Sequence, residues 1–190
     1  MVYDDLRIAL ERQQRLRGTS ESKDRHEMKR FWISYQVSIL LPAEAKEPKN
    51  TQKKQQEGNI IRMKMPEHEA DFMFCFRKMP SLTAKSGKVM RDSMKNMVMR
   101  LYPANSFYAE GSQTAGEQEV WWFDFDSFGL DGKIYNFMFF VPILSGQEML
   151  IGSFRCPDAQ AVKWKPIFMN LISSLEIEIL PNDRNDVVKK

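Results

Sequence analysis

The chain has 190 residues, enough for one domain with a sizeable core and few for two. Its hydrophobic share of 43% and charged share of 28% are ordinary globular values and exclude wholesale disorder. A net charge of +3 falls far short of the basic excess of a dedicated nucleic-acid binder and is at most a mild bias toward acidic partners.

In chain order, residues 3–17 read as a helix. Leu6, Ala9, Leu10 and Leu16 fall on one stripe, Asp4 and Asp5 sit near the start, and Arg15 and Arg17 precede the capping Gly18. Residues 18–29 are a polar link, so 1–30 form an amphipathic helix and tether ahead of a single domain at 31–180. The clearest strand is Phe31–Leu41, where Phe31, Ile33, Tyr35, Val37, Ile39 and Leu41 alternate with Trp32, Ser34, Gln36 and Ser38 until Pro42. Residues 43–58 hold no large apolar side chain and are expected to be a mobile loop.

Strands are expected at 59–65 and 71–77, then a helix at 84–101 with Val89, Met90, Met94, Met97, Val98 and Leu101 at helical spacing. Four more strands follow at about 106–110, 117–126, 133–141 and 147–155. Gly111, Gly116, Asp131-Gly132 and Ser145-Gly146 supply hairpin chemistry between them, which makes neighbouring strands antiparallel. Residues 133–141 are apolar on both faces, with Ile134, Met138 and Phe140 on one and Tyr135, Phe137, Phe139 and Val141 on the other. Such a strand is central and covered on both sides. A last helix at 158–175 places Trp164, Ile167, Phe168, Leu171, Ile172 and Leu175 on one face, with Pro166 either starting or kinking it, and a polar tail occupies 181–190. The expected fold is α/β: a mainly antiparallel sheet of six to seven strands with helices on both faces.

No catalytic set emerges. Lys85-Ser86-Gly87-Lys88 lacks both the earlier glycine and the following hydroxyl of a phosphate loop, and the nucleophile elbow is absent. His68 has no second histidine at zincin spacing, and two histidines with two distant cysteines, Cys75 and Cys156, make no zinc site. Met63 and Met65 read as core residues, although with His68 they also have the softness of a Cu(I) site. Asp124 and Asp126 share a strand face. They read as its wetted side, with a cation site or an acid–base pair as the enzymatic alternative. No cofactor is expected.

The surfaces expected to bind a partner are the basic stripe Lys88, Arg91 and Lys95, and two tryptophans, Trp32 and Trp122, that share otherwise polar strand faces. The stripe Leu6–Leu16 is expected to lie over those rings or to swing away from them. The basic loop and aromatics also admit RNA binding. The cysteines are expected to be free thiols. No apolar run reaches the roughly 18 residues of a membrane span, and the charged start does not resemble a secretory signal, so the expected location is cytoplasmic.

The segments ISYQVSILLP (33–42), GKIYNFMFFVP (132–142) and WKPIFMNLISSLEI (164–177) together resemble the Mog1/PsbP-like fold, which includes DcrB-type and secretion-effector-chaperone relatives, over about residues 31–180. The resemblance implies a three-layer α/β/α sandwich. It also implies a non-enzymatic role as adaptor, chaperone or assembly factor binding another protein. It carries over no functional residue.

Overall fold

The computed structural model describes residues 26–47, 60–130, 132–145 and 147–178. The expected helix at 3–17, most of the loop 43–58 and the tail after 181 lie outside the described residues. Among the described residues nine strands occur in two sheets. The larger has the order β3-β4-β8-β7-β6-β5, from β3 (Ile60–Lys64), β4 (Asp71–Lys78), β5 (Ser106–Ala115), β6 (Gln118–Gly129), β7 (Gly132–Ile143) and β8 (Glu148–Pro157). Every pairing in it is antiparallel. The smaller has the order β1-β2-β9, from β1 (Met28–Trp32), β2 (Val37–Pro42) and β9 (Glu176–Ile177).

β7 lies between β6 and β8, and its two apolar faces enter two separate cores. Tyr135, Phe137, Phe139 and Val141 join Phe72, Phe74, Phe154, Trp164 and Phe168 under helix α2 (Ala161–Ser173), where the small sheet adds Val37, Ile39 and Leu41. On the opposite face Phe140 joins Phe123, Phe125 and Met149 beneath helix α1 (Ser86–Leu101). The rings of the larger core meet edge-on and offset, with Phe139 and Phe154 at 5.1 Å and Phe154 and Phe168 at 5.3 Å. α2 begins at Ala161, after a 3-10 turn, and runs through Pro166, whose missing N–H leaves one helical bond unmade.

The long strand expected over Phe31–Leu41 is two strands. The chain reverses at 33–36, and Phe31 pairs with Ile39. The reversal is held by the Ser34 hydroxyl, which accepts from Gln36 N at 3.3 Å and Val37 N at 3.1 Å, a local bond that competes with strand extension. These strands also stand outside the main sheet, which takes six strands without them. α1 is rotated from the expected stripe. It packs Met90, Met94 and Val98 inward and leaves Val89, Met97 and Leu101 exposed. Met63 and Met65 are core residues, each 5% exposed.

Gly152 shows how tightly the larger core is filled: a Cβ there would lie 1.9 Å from the ring of fully buried Phe139. Gly152→Ala is expected to cost the upper part of the ~1–3 kcal/mol typical of overpacked cores, or more, in urea unfolding. Cys75 is half-buried on the α1 face of β4, whereas Cys156 is buried on the α2 face of β8, so the two thiols cannot meet. Burial, with Asp158 and Asp126 nearby, pushes the Cys156 thiol up to about 12. Between the ordinary thiol range and that value, the unfolded thiol ionises while the folded one does not, so stability is lost as pH rises. Wild-type unfolding free energy should fall more steeply above pH ~9 than that of Cys156→Ala, and alkylation of native protein should modify Cys75 first.

Candidate protein-binding surfaces

The turn between β1 and β2 carries the most exposed of the expected contact residues. Trp32 is 57% exposed and Tyr35 67%, while Ile33 and Gln36 between and beside them are buried. The turn is held by three hydrogen bonds, two from its backbone and one through the Gln36 side chain. Ile33 N donates to Val37 O at 2.9 Å, Glu178 N donates to Gln36 O at 2.8 Å, and Ser145 Oγ donates to Gln36 Oε1 at 3.2 Å. The last bond ties the turn to the β7–β8 loop, where Leu144 is also exposed. Two aromatic rings and an aliphatic side chain therefore stand in solvent on loops whose backbone is already ordered.

Trp122 is not on a polar face. Its ring is half-buried, stacks on Phe137 at 5.3 Å, and packs against the larger core. Its neighbours on that face, Asp124 and Asp126, were expected to be wetted and are instead fully buried, at 0% exposure each. Asp124 joins three elements to β6. Its Oδ1 accepts from Ala109 N of β5 at 2.7 Å, and its Oδ2 accepts from Tyr135 Oη of β7 and Lys165 Nζ of α2, both at 2.6 Å. Asp126 accepts from Tyr108 Oη and, at 3.2 Å, from Lys133 Nζ. Burial and the adjoining Asp124 carboxylate push the Tyr135 hydroxyl far above its ordinary range, so it remains a donor. The wetted reading fails because both phases of β6 are covered, one by each helix layer. With those three donors already on it, Asp124 serves as a structural lock in place of a free acid or base.

The basic stripe of α1 is partly internal. Arg91 is 5% exposed, lies over the Trp121 ring at 5.2 Å, and donates to Asp92 Oδ1 from Nε at 2.9 Å and Nη2 at 2.6 Å. Lys88 reaches Asp92 at 3.0 Å, and Lys95 reaches Glu110 of β5 at 2.7 Å. Partial burial pushes the Asp92 carboxyl up, but hydrogen bonds from Arg91 and Lys88 outweigh it and hold the group below the usual range. Glu110 is held down chiefly by its bond from Lys95. The stripe thus clamps α1 to the outer strand of the sheet, a role that charge spacing alone does not reveal. Among the described residues no cluster of three or more His, Cys, Asp or Glu side chains could hold a metal, and no helix is long and apolar enough to cross a membrane.

A six-stranded antiparallel sheet between two helical layers, with a small accessory sheet, is the Mog1/PsbP-like fold. Among solved structures the chain is similar to cyanobacterial PsbP (CyanoP) from Synechocystis, with a TM-score of 0.59 at 10% identity over 85% of this chain and 98% of that one. It is also similar to the Ran-binding protein Mog1p of Saccharomyces cerevisiae, with a TM-score of 0.52 at 6% identity over 80% and 96%. A Pseudomonas aeruginosa protein, PA94, gives 0.50 at 12% identity over 79% and 96%. No family model and no curated protein matches the sequence. Identities this low establish the fold and nothing finer.

The Asp124 lock can be measured. Asp124→Ala leaves Lys165 and Tyr135 without their shared acceptor and should cost ~3–5 kcal/mol in denaturant unfolding.

Proposed function

We propose that this protein is a non-enzymatic protein-binding module, an adaptor or chaperone for a secreted or membrane-associated client, acting in the cytoplasm. The observation that carries the reading is the pair Trp32 and Tyr35, exposed on a turn that Gln36 and Ser34 hold rigid. Rigid aromatics on ordered backbone are the side chains that dominate interface energetics, because little ordering entropy is lost when they are covered. The fold likeness to a protein described as Ran-binding is in keeping with this reading. In this reading the binding domain expected over 31–180 begins with β1 at Met28, preceded by an amphipathic helix and polar link and followed by a polar tail at 181–190. The enzymatic alternative through Asp124 and Asp126 loses support because both carboxylates are buried and bonded to neighbouring elements. RNA binding through the basic loop and exposed aromatics gains no support, because most of that loop lies outside the described residues.

A photo-crosslinking side chain at position 35 should give one discrete heterologous adduct in cells, whereas the same side chain at exposed Lys78 should not. Against the purified partner so identified, the double variant Trp32→Ala, Tyr35→Ala should bind at least about tenfold more weakly with its thermal melt unchanged. No adduct at position 35, or an equal one at 78, overturns the reading.

A further inference from the structure

α1 covers only part of its side of the large sheet. Its Gly87 sits against Trp121 of β6 and Pro142 of β7, and its Arg91 and Lys95 reach Glu110 of β5. Among the described residues no second helix lies on this side, so β4, β3 and the outer part of β8 have none over them. Burial records the gap. On the α2 side of these strands Phe72, Phe74 and Phe154 are closed to solvent, whereas the alternating residues on the α1 side, Met73, Cys75, Ile151 and Ser153, are only half-buried.

The uncovered strip forms a step, with the sheet as floor and α1 as wall. With Arg91 and Lys95 turned to β5, about 3.6 residues per turn put Met97 and Leu101 on the opposite flank, toward β8. Both are exposed there, at 47% and 62%. Met138 and Met73 continue the same apolar surface across the floor. Methionine on wall and floor makes a pliable groove of the kind that receives the apolar face of a helix.

The chain carries a segment of matching size. Residues 3–17, with Leu6, Leu10 and Leu16 on one stripe, are nearly as long as the 16-residue α1. A helix of that length is marginal alone in water, so its stripe needs a surface. Trp122, one of the rings expected to supply it, is already stacked on Phe137. The entry point also fits. Glu27 O accepts from Ala43 N and Lys46 bridges to Lys64 of β3, which places His26 beside the β3 edge, next to the uncovered strip. The His26 ring stacks on Trp164 at 5.3 Å, on the α2 side. Passing around β3 to the α1 side crosses two layer spacings of roughly 10 Å each. Residues 18–25, fully extended, reach roughly 26 Å. The route around β5 is longer by the width of the sheet.

We propose that residues 3–17 dock as a third helix beside α1, with the Leu6–Leu16 stripe over Met73, Cys75, Met138 and Ile151. The segment completes the second helical layer. Its short tether holds it at a high local concentration over the groove, which a client's helix or a second copy would have to outcompete. The inference uses neither Trp32 nor Tyr35 and stands apart from the protein-binding reading.

Cys75, in the floor of the groove, reports on the cover, and Cys156, on the other side of the sheet, reports on the fold. The test follows alkylation of both thiols by mass spectrometry in three full-length proteins. These are the wild type, the double variant Leu6→Asp, Leu10→Asp, and Arg15→Asp, which changes the charge equally but away from the stripe. Cys75 should react at least about tenfold faster in the leucine variant and at the wild-type rate in Arg15→Asp, with Cys156 protected throughout. A synthetic peptide of residues 1–20 added to the leucine variant should restore protection of Cys75. Equal Cys75 rates in wild type and leucine variant overturn the proposal and leave the groove to a client. Equal acceleration by Arg15→Asp, or Cys156 reacting in step with Cys75, also overturns it, because charge or general loosening then explains the effect. Wild-type protection that falls on dilution overturns it in favour of a second copy.

Discussion

A strand that carries large apolar side chains on both faces cannot lie at a surface, and β7 is such a strand. Its position between β6 and β8 follows, because only a central strand can have both faces covered. The two layers follow in turn: Phe137 and Phe139 need α2 and the small sheet above them, while Phe140 needs α1 below. The neighbours of β7 inherit the same coverage. This is why β6, whose sequence alternates rings with acids, ends with Asp124 and Asp126 in the interior.

Burying those acids is costly unless every charge meets a partner. The structure meets the requirement with groups from separate elements, and so turns the cost into positional control. Lys165 fixes α2 against β6, Tyr135 fixes the neighbouring strand, and the Ala109 amide fixes the outer one. Arg91 does the same on the other face, where its guanidinium lies over Trp121 and joins the Asp92 and Glu110 carboxylates. Both helices are thus tied to the β5 side of the sheet by charge as well as by apolar packing.

Among the described residues these ties leave the β1–β2 turn ordered and uncovered, with the rings of Trp32 and Tyr35 in solvent, while the β5 edge has no strand on its outer side.

Hydrophobic periodicity alone was enough to place β3, β4, β6, β7, β8 and both helices, and to show β7 as central, because alternation and helical spacing are local properties of the chain. The segments 33–42, 132–142 and 164–177 carried the fold for the same reason. Alternation could not show that Phe31–Leu41 folds back on itself: a hairpin preserves the period, and only the Ser34 hydroxyl bonds betray the turn. Nor could it show that Trp122 and Asp124 face a core, since the phase of a strand is decided by what packs on it. Arg91 looked like part of a solvated stripe because helical spacing records which residues share a face, not what that face meets. Exposure of Trp32 and closure of the acid pair were decided by tertiary structure, through contacts between residues far apart in the chain.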